Sequence, residues 1–495
     1  MALGVLLGRL AGFAREILLA HALGIGREAD LAAFAMTLPD AVTNLLVGGA
    51  MGAALVPEFK AFQAKGARPA RALFAHSTLA AIAAFGLLAG LVALAGPLVV
   101  ELLAPGFAGA DVPLAARLLR ASVIAVPFTA AAAVSTAFLN AHGRFATAAF
   151  GTLLFNGVVI GAILGWTRPE ELLPLALGVA VASAARWGTQ LADAGTFPRP
   201  PGEEPAARGW TVSRGLVARY LQALGALGFA ILVPVVGRAL ASLHDPGSVA
   251  VFNYATRLVE LPMGIAVGVL SVVLLPRFSE LFVAGKEAEA LELARQGCWL
   301  VWAMALPLCL SMAWFSVPLV ALLFGHGALG AEDARRIGEL AAWAMLALPA
   351  MGQGVLLFSA LSARGDTRRP FAWGAAIFLA YGILAWQGQR RWGLAGLVGA
   401  GVVLHWATAA AYAGILSRRH GFPVLSGGLA RDLALASLLS AAAVAPFALL
   451  GGRSPAPLPG TLLALAAAAA ALGAVALPRY KTLPGGLRTF YKERA

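Results

Sequence analysis

Three arginines lie inside strongly apolar segments of this chain. Arg9 and Arg15 interrupt the first apolar segment, and Arg257 lies within the eighth. A guanidinium group keeps its charge and offers planar, paired N–H donors that fit phosphate and carboxylate oxygens. Because a cation within a lipid bilayer is costly, an intramembrane arginine indicates a functional site. The chemistry that these residues can perform is the binding of an anion.

Depth within the membrane distinguishes the three arginines. Arg9 lies close enough to the start of its segment for its side chain to extend to the membrane surface. Arg15 and Arg257 lie roughly a dozen residues inside their segments, which is near mid-depth at about 1.5 Å of helix per residue. Glu260 follows Arg257 by about one helical turn and is predicted to pair with it, either within the site or as a structural ion pair.

The composition indicates an integral membrane protein. Hydrophobic residues make up 60% of the chain and charged residues 12%, with a mean hydropathy of +0.81. About fourteen apolar runs are long enough to cross the roughly 30 Å hydrocarbon core as helices. The runs cover residues 2–25, 31–56, 72–100, 118–140, 145–166, 171–192, 216–242, 247–276, 297–324, 337–362, 370–388, 393–416, 430–450 and 459–478. The predicted fold class is therefore an all-α polytopic membrane protein with about fourteen transmembrane helices.

The distribution of basic residues predicts the orientation. Lys and Arg are concentrated in the loops that follow the even-numbered helices and in the C-terminal tail. By the positive-inside rule, both termini are predicted to be cytoplasmic. The net charge of +13 follows largely from this topology, so no nucleic-acid partner is predicted.

An internal repeat predicts two lobes. Residues 97–111 line up with residues 318–332, so that helices 1 to 6 correspond to helices 7 to 12. An even number of spans gives both lobes the same orientation, with a site at their interface, as in alternating-access transporters. The predicted division is an N-terminal lobe at 1–192, a cytoplasmic linker at 193–215, a C-terminal lobe at 216–416, and helices 13 and 14 with a basic tail at 417–495.

Five segments carry a resemblance to a known family. The chain resembles the MurJ/MviN family of lipid II flippases, within the multidrug/oligosaccharidyl-lipid/polysaccharide exporter superfamily. The matching segments, in order, are GRLAGFAREILLAHALG (8–24), LLAPGF (102–107), FLNAHGRFATAAF (138–150), YATRLVELPMGI (254–265) and SARGDTRRP (362–370).

The resemblance implies a central cationic cavity between two six-helix lobes. Its cargo would be lipid II, the undecaprenyl-pyrophosphate-linked precursor of peptidoglycan, whose charged head group cannot cross hydrocarbon without partners. A groove bordered by helices 13 and 14 would guide the lipid tail. The implied partners are lipid II, the bilayer of the bacterial inner membrane and the cell-wall synthesis machinery, and the implied state is a monomer.

Several substrate-binding residues carry over from the resemblance. Arg9 and Arg15 match the first-helix arginines of the family, and Arg257 matches the eighth-helix arginine. Asp30 matches an acidic residue at the start of helix 2, although it could equally cap a helix. Asp40 takes the place of a family asparagine.

The chain also departs from the family. Thr43, the last of the predicted substrate-binding residues, stands where the family has an arginine in helix 2. Gly48 and Gly237 stand where the family has acidic residues. Arg238 either restores the missing positive charge or reaches to the membrane surface. Residues 371–386 contain no carboxylate or amide, so no sodium site is predicted, and neither is any other metal or cofactor.

Other functions remain open. One is transport of another polyprenyl-linked glycan, and another is a divergent paralogue that binds lipid II without transporting it. An intramembrane enzyme is disfavoured because the seven histidines are scattered without ligand spacing. With no nucleotide-binding loop in the sequence, we predict a transporter rather than an ATPase or another enzyme.

Overall fold

The described part of the chain is built from α-helices. The computed structural model describes residues 2–46, 51–196, 211–366, 368–451 and 457–476, and within them no β-strand forms. The all-α class is therefore confirmed for these residues. The helices are α1 (Ala2–Leu23), α2 (Arg27–Leu45), α3 (Met51–Gln63), α4 (Ala67–Leu94), α5 (Gly96–Leu103), α6 (Asp111–Ser122), α7 (Ala125–Ala141), α8 (Ala146–Trp166), α9 (Leu173–Gly195), α10 (Arg214–Ala241), α11 (Ser248–Val283), α12 (Glu287–Trp314), α13 (Ser316–Leu323), α14 (Ala331–Met345), α15 (Leu348–Ala363), α16 (Arg368–His420), α17 (Gly427–Gly451) and α18 (Pro457–Ala476).

The predicted count of fourteen spans is not confirmed. Six helices in the described ranges are long and apolar enough to cross a membrane, or up to seven if the bent pair α14 and α15 forms one span. Several predicted runs are divided between two helices, as α4 and α5 divide the third run just before Pro97. Gly48 and most of the predicted linker at 193–215 lie outside the described residues, as does the C-terminal tail.

Predicted helices 11 and 12 form one element, α16, which is broken near its middle. Trp392 and Gly393 have non-helical backbone angles, and Gly393 has φ of +58°, a conformation that glycine adopts without strain. A Cβ on Gly388 would lie 2.6 Å from the carbonyl oxygen of Gly396. Residues eight apart in a straight helix would be separated by about 12 Å, so the chain folds back at this break.

The helices belong to two compact units, each with its own core. The first contains residues 1–257, 326–333 and 374–398, and the second contains residues 258–325, 334–373 and 399–495. Phe59 and Phe138 are fully buried in a core of the first unit. Phe278 and Phe422 are buried with Trp299 in a core of the second. The lobe boundaries expected from the repeat remain a prediction.

Glycines allow α1 to pack very closely against α8. A Cβ on Gly4 would lie 2.9 Å from the Cβ of Ala149, and a Cβ on Gly8 would lie 3.0 Å from the Cβ of Thr152. Asn156 Nδ2 also donates a hydrogen bond to the Gly8 carbonyl oxygen (3.2 Å). Small residues at four-residue spacing permit such close helix contacts in membranes. This contact fixes the helix that carries Arg9 and Arg15.

Two turns at equivalent positions of the predicted repeat each carry an ion pair. The first turn supplies the basic partner and the second supplies the acidic partner. Arg144, after α7, binds Asp193 near the end of α9, with 2.7 Å between Nη1 and Oδ1. Asp366, after α15, binds His420 at the end of α16, with 2.7 Å between Oδ2 and Nε2, and also binds Arg369. Burial alone would raise the pKa of Asp366, but the hydrogen bonds from His420 and Arg369 lower it below its ordinary value. Each turn is thereby fastened to a helix end within its own unit.

The contact between α1 and α8 can be tested by substitution. Gly8→Leu is expected to reduce stability by about 1–3 kcal/mol, because the added side chain overlaps Thr152. Gly161→Leu on α8 is the matched control, since a Cβ there meets nothing within 4 Å. Thermal unfolding of the purified protein in detergent measures both variants. Equal melting temperatures for the two would contradict the close contact.

Candidate substrate-binding site

An ion-pair network joins α1, α2 and the first turns of α11. Arg15 Nη2 donates to Glu16 Oε1 at 2.7 Å and to Asp40 Oδ2 at 3.4 Å. Arg257 Nη2 donates to the same Asp40 oxygen at 2.9 Å, and Arg257 Nε lies 3.8 Å from Glu16 Oε1. One carboxylate oxygen of Asp40 is thus shared by two guanidinium groups. The network brings together three of the predicted residues, Arg15, Asp40 and Arg257.

Exposure divides this network into a deep part and an accessible part. The side chains of Arg15 and Glu16 are 6% and 4% exposed. Those of Arg257 and Asp40 are 18% and 14% exposed. A guanidinium has five N–H donors, and Arg15 Nε makes no hydrogen bond within the described residues. The site therefore has both an accessible edge and spare donor capacity.

Arg238 extends the network from α10. Its Nη2 donates to Asn253 Oδ1 at 2.8 Å, and its Nη1 donates to Thr37 Oγ1 at 3.2 Å. Asn253 Nδ2 in turn donates to Glu16 Oε2 at 3.0 Å. Arg238 is buried, which supports a charge held within the helix bundle rather than a side chain that reaches to the membrane surface.

Charge pairing explains how these residues are tolerated inside apolar helices. Arg15, Arg238 and Arg257 surround two carboxylates, Glu16 and Asp40. A buried charge without a partner is strongly destabilising, whereas paired and hydrogen-bonded charges are not. The site is thus cationic by one charge, but Arg15 and Arg257 are engaged with protein carboxylates and Arg238 donates to Asn253 and Thr37. An open arginine-lined cavity remains a prediction.

Asp30 has a different role from the arginines. Its two carboxylate oxygens accept backbone hydrogen bonds from Gly247 and Ala250, both at 2.8 Å. These N–H groups belong to the N-terminus of α11, where the helix dipole favours a negative charge. Asp30 therefore caps a neighbouring helix rather than its own. Because Arg257 lies on α11, this cap helps to set the height of Arg257 in the bundle.

The remaining predicted residues lie on the three helices that carry the network. Arg9 is exposed on α1 and Glu260 is exposed on α11, while Thr43 is half-buried on α2 three residues after Asp40. Within the described ranges, no group of three or more His, Cys, Asp or Glu side chains is placed to hold a metal ion. A role for Arg9, Glu260 or Thr43 in binding stays a prediction.

Packing explains why Gly237 carries no side chain. A Cβ at this position would lie 2.4 Å from Cζ of Phe252, so the phenylalanine ring occupies the space that an acidic side chain would need. Three polar residues of the network, Glu16, Thr37 and Asn253, were not predicted as site residues. Glu16 follows Arg15 directly in an apolar run, which was a usable signal. Asn253 is uncharged, and nothing in the sequence distinguishes it from an ordinary polar helix residue.

This fold and this site define a polytopic helical membrane protein with a buried arginine–carboxylate network. Comparisons with known proteins identify its family. Residues 19–465 match the family described as lipid II flippase MurJ. A lipid II flippase MurJ from Burkholderia cenocepacia is 30% identical over 347 residues, covering 68% of this chain and 66% of that protein. A probable lipid II flippase MurJ from Rhizobium tropici is 29% identical over 391 residues, covering 75% and 71%.

Solved structures share the fold. A lipid II flippase MurJ in an inward closed conformation matches with a TM-score of 0.82 and 18% identity, covering 97% of this chain and 99% of that one. An inward-facing MATE transporter of the MOP superfamily matches with a TM-score of 0.66 and 16% identity, covering 86% and 96%.

The chain belongs to the lipid II flippase MurJ family, which confirms the resemblance seen in the sequence. This is a family of multi-pass inner-membrane transporters rather than enzymes.

The cap formed by Asp30 gives a stability prediction. Asp30→Ala is expected to destabilise the protein by about 0.5–2 kcal/mol, because two buried N–H groups of α11 lose their acceptor. Glu28→Ala is the matched control, since it removes a carboxylate from the same first turn of α2. Thermal unfolding compares the two variants. A melting temperature of Asp30→Ala equal to that of Glu28→Ala would rule out the cap.

Proposed function

We propose that this protein moves lipid II across the bacterial inner membrane and that Arg15 and Arg257 bind its pyrophosphate. The observation that carries the proposal is the pair of guanidinium groups converging on one anionic oxygen, that of Asp40, at 3.4 and 2.9 Å. Phosphate oxygens make the same charge-assisted bonds to arginine as carboxylate oxygens do. Membership of the flippase family supports lipid II as the cargo.

Binding would proceed by exchange of ion pairs. A pyrophosphate arriving at the accessible edge would meet Arg257 and Asp40 first, because these side chains keep more exposed surface than Arg15 and Glu16. Its oxygens would replace the Asp40 oxygen at both arginines, so neither guanidinium would be left unpaired within the membrane. Arg238 and Asn253 would hold Glu16 in place during this exchange. Arg9, Thr43 and Glu260 complete the proposed site at its periphery.

Transport would follow alternating access by the two predicted lobes, 1–192 and 216–416, with helices 13 and 14 beside them. The proposed topology has about fourteen spans with both termini in the cytoplasm. We propose that the protein acts as a monomer, without ATP hydrolysis, and delivers its cargo to the cell-wall synthesis machinery. Since the cargo carries several negative charges, the membrane potential would contribute about 2.3 kcal/mol per charge per 100 mV.

Rescue of bacteria depleted of their own flippase tests this function. The wild-type chain is expected to restore growth and surface-accessible lipid II, whereas Arg15→Ala and Arg257→Ala are expected to lose at least about ten-fold in flipping, equivalent to one lost charge-assisted contact. Arg335→Ala, which removes an exposed arginine paired with Glu339, is the control. Arg257→Lys keeps the charge but loses the planar donors, so an intermediate rate is expected.

The outcomes distinguish the proposed function from its alternatives. All variants are compared at equal membrane abundance and with monodisperse purified protein, so that folding defects are separated from binding defects. Full rescue by both alanine variants would contradict the proposed site. Binding of lipid II without flipping would indicate a non-transporting paralogue. Flipping of a different polyprenyl-linked glycan but not lipid II would reassign the cargo. Rescue only by Thr43→Arg would mean that the missing helix 2 charge limits transport.

A further inference from the structure

Two turns at equivalent positions of the predicted repeat each contact the end of a helix from the other half of that repeat. The turn after α5, at residues 105–109, contacts the end of α10 and is called the N-turn. The turn after α13, at residues 326–330, contacts the end of α1 and is called the C-turn. All of these contacts lie within the first compact unit.

The N-turn contacts α10 through a residue that has no side chain. The Gly106 N–H donates a hydrogen bond to Ser242 Oγ at 3.0 Å. A Cβ on Gly106 would overlap the carbonyl oxygen of Ser242 and would lie 2.7 Å from the backbone nitrogen of Leu243. Gly106 does not have a positive φ, so the close approach of the two backbones, rather than a left-handed conformation, requires glycine here.

The C-turn contacts α1 in the same way. The Ala328 N–H donates a hydrogen bond to the carbonyl oxygen of His21 at 2.9 Å. A Cβ on Gly327 would lie 2.5 Å from that carbonyl oxygen. On the other side, a Cβ on Gly24 would lie 2.8 Å from the carbonyl oxygen of Ala328. The C-turn therefore packs backbone against backbone on the end of α1, and any added side chain disturbs the contact.

The two contacts are exchanged by the repeat. The aligned segments of the repeat differ by 221 in residue number. This offset takes Gly106 to Gly327, and it also takes His21 to Ser242. Each turn therefore holds the counterpart of the helix end that the other turn holds. Such an exchange of partners is the property of a contact made across a two-fold axis.

A third contact lies where such an axis requires it. The same offset takes Gly26 to Gly247, and these two glycines contact each other. A Cβ on Gly247 would lie 3.0 Å from the backbone nitrogen of Gly26. A residue that meets its own counterpart lies on the two-fold axis that relates the two halves of a parallel repeat. The three contacts thus form one symmetric set, closed by glycine backbone at every point.

From these observations we propose that the N-turn and the C-turn form one reciprocal clasp, which closes the periplasmic end of the transport path and opens at both turns together. The inference rests on the proposed function, which supplies the topology and the alternating access. In that topology, α1 and α10 are the first helices of the two predicted lobes, and both end on the periplasmic side. A rotation of one lobe against the other would separate the two symmetric contacts by the same movement.

Glycine makes the clasp sensitive to a single methyl group. Alanine at Gly106 would overlap Ser242 while the clasp is closed, whereas no such overlap arises once the turn has left α10. A change that disfavours only the closed state shifts the population towards the open state. Because the two turns open together, a substitution in the N-turn is expected to release the C-turn as well.

Cross-linking at the C-turn shows whether a change in the N-turn opens both. The reporter carries His21→Cys and Ala328→Cys, whose side chains are exposed and whose contact is made by backbone atoms. The buried Cys298 and Cys309 are replaced by alanine. In membranes, a short bifunctional thiosulfonate reagent is expected to join the two introduced thiols, because the hydrogen-bonded backbones hold them close together.

Gly106→Ala is expected to reduce cross-linking at the C-turn at least about five-fold, because the closed clasp cannot accommodate the added methyl group. Ser242→Ala removes only the hydroxyl that accepts from the Gly106 N–H, and it is expected to act in the same direction. Gly165→Ala is the matched control, since a Cβ at that position, near the end of α8, meets nothing within 4 Å. It is expected to leave cross-linking within about two-fold of the reporter alone.

Three outcomes would overturn the inference. Unchanged cross-linking in folded Gly106→Ala would show that the two turns move independently, and if this variant does not fold, unchanged cross-linking in Ser242→Ala would show the same. An equal loss in Gly165→Ala would show that the effect is not specific to the clasp. Absence of cross-linking in the reporter, with both thiols still labelled by a monofunctional reagent, would mean that the C-turn is not held against α1.

Flipping by the same reporter separates the clasp from the proposed function. The cross-linked protein is expected to flip lipid II at least about ten-fold more slowly than before cross-linking, and reduction of the linker is expected to restore the rate. Unimpaired flipping after cross-linking would overturn the clasp as a gate and leave the proposed function standing. If neither the wild type nor the untreated reporter flips lipid II, the proposed function fails, and the cross-linking result still decides whether the two turns are coupled.

Discussion

The sharing of one carboxylate oxygen between two arginines is the interaction on which the site depends. Arg15 and Arg257 lie in apolar helices where an isolated charge would be destabilising, and Asp40 Oδ2 accepts a hydrogen bond from each of them. Glu16 supplies the second negative charge. Because each carboxylate contacts both arginines, loss of any of these four residues removes two ion pairs from the network. In the proposed function, anionic cargo would enter by replacing the Asp40 carboxylate at these arginines.

The packing around the network determines where these charges lie. Gly4 and Gly8 hold α1 close to α8, and Asp30 caps the N-terminus of α11 and so fixes the level of Arg257. Phe252 fills the space above Gly237, next to Arg238. A binding site built on helices that are fixed by close contacts holds its charged groups more accurately than one built on loops. Of the departures from the family, Gly237 is accommodated by this packing, because Phe252 occupies the space of a side chain.

The sequence predicted three charged members of the site, Arg15, Asp40 and Arg257, but not Glu16 and not the contacts that join them. Arg15, Arg257 and Asp40 were recognisable because charges are rare in apolar runs, yet their contact joins residues far apart in the chain and depends on tertiary packing. Pairing of Arg257 with Glu260, which helical spacing suggests, stays a prediction. The contacts of Arg257 with Asp40 and Glu16 have no counterpart in the sequence pattern. The all-α class followed from composition. The count of about fourteen spans is not confirmed, because prolines and glycines divide apolar runs into shorter helices and allow α16 to fold back without a separate loop.

An experimental structure of the protein with bound lipid II, determined by electron cryomicroscopy in nanodiscs, tests the central claim most directly. We expect both phosphoryl groups within hydrogen-bonding distance of Arg15 and Arg257, about 2.7–2.9 Å, with the Asp40 carboxylate displaced from between them and Glu16 still bound to Asn253. Pyrophosphate density elsewhere, with the Arg15–Asp40–Arg257 contacts unchanged, would contradict the account.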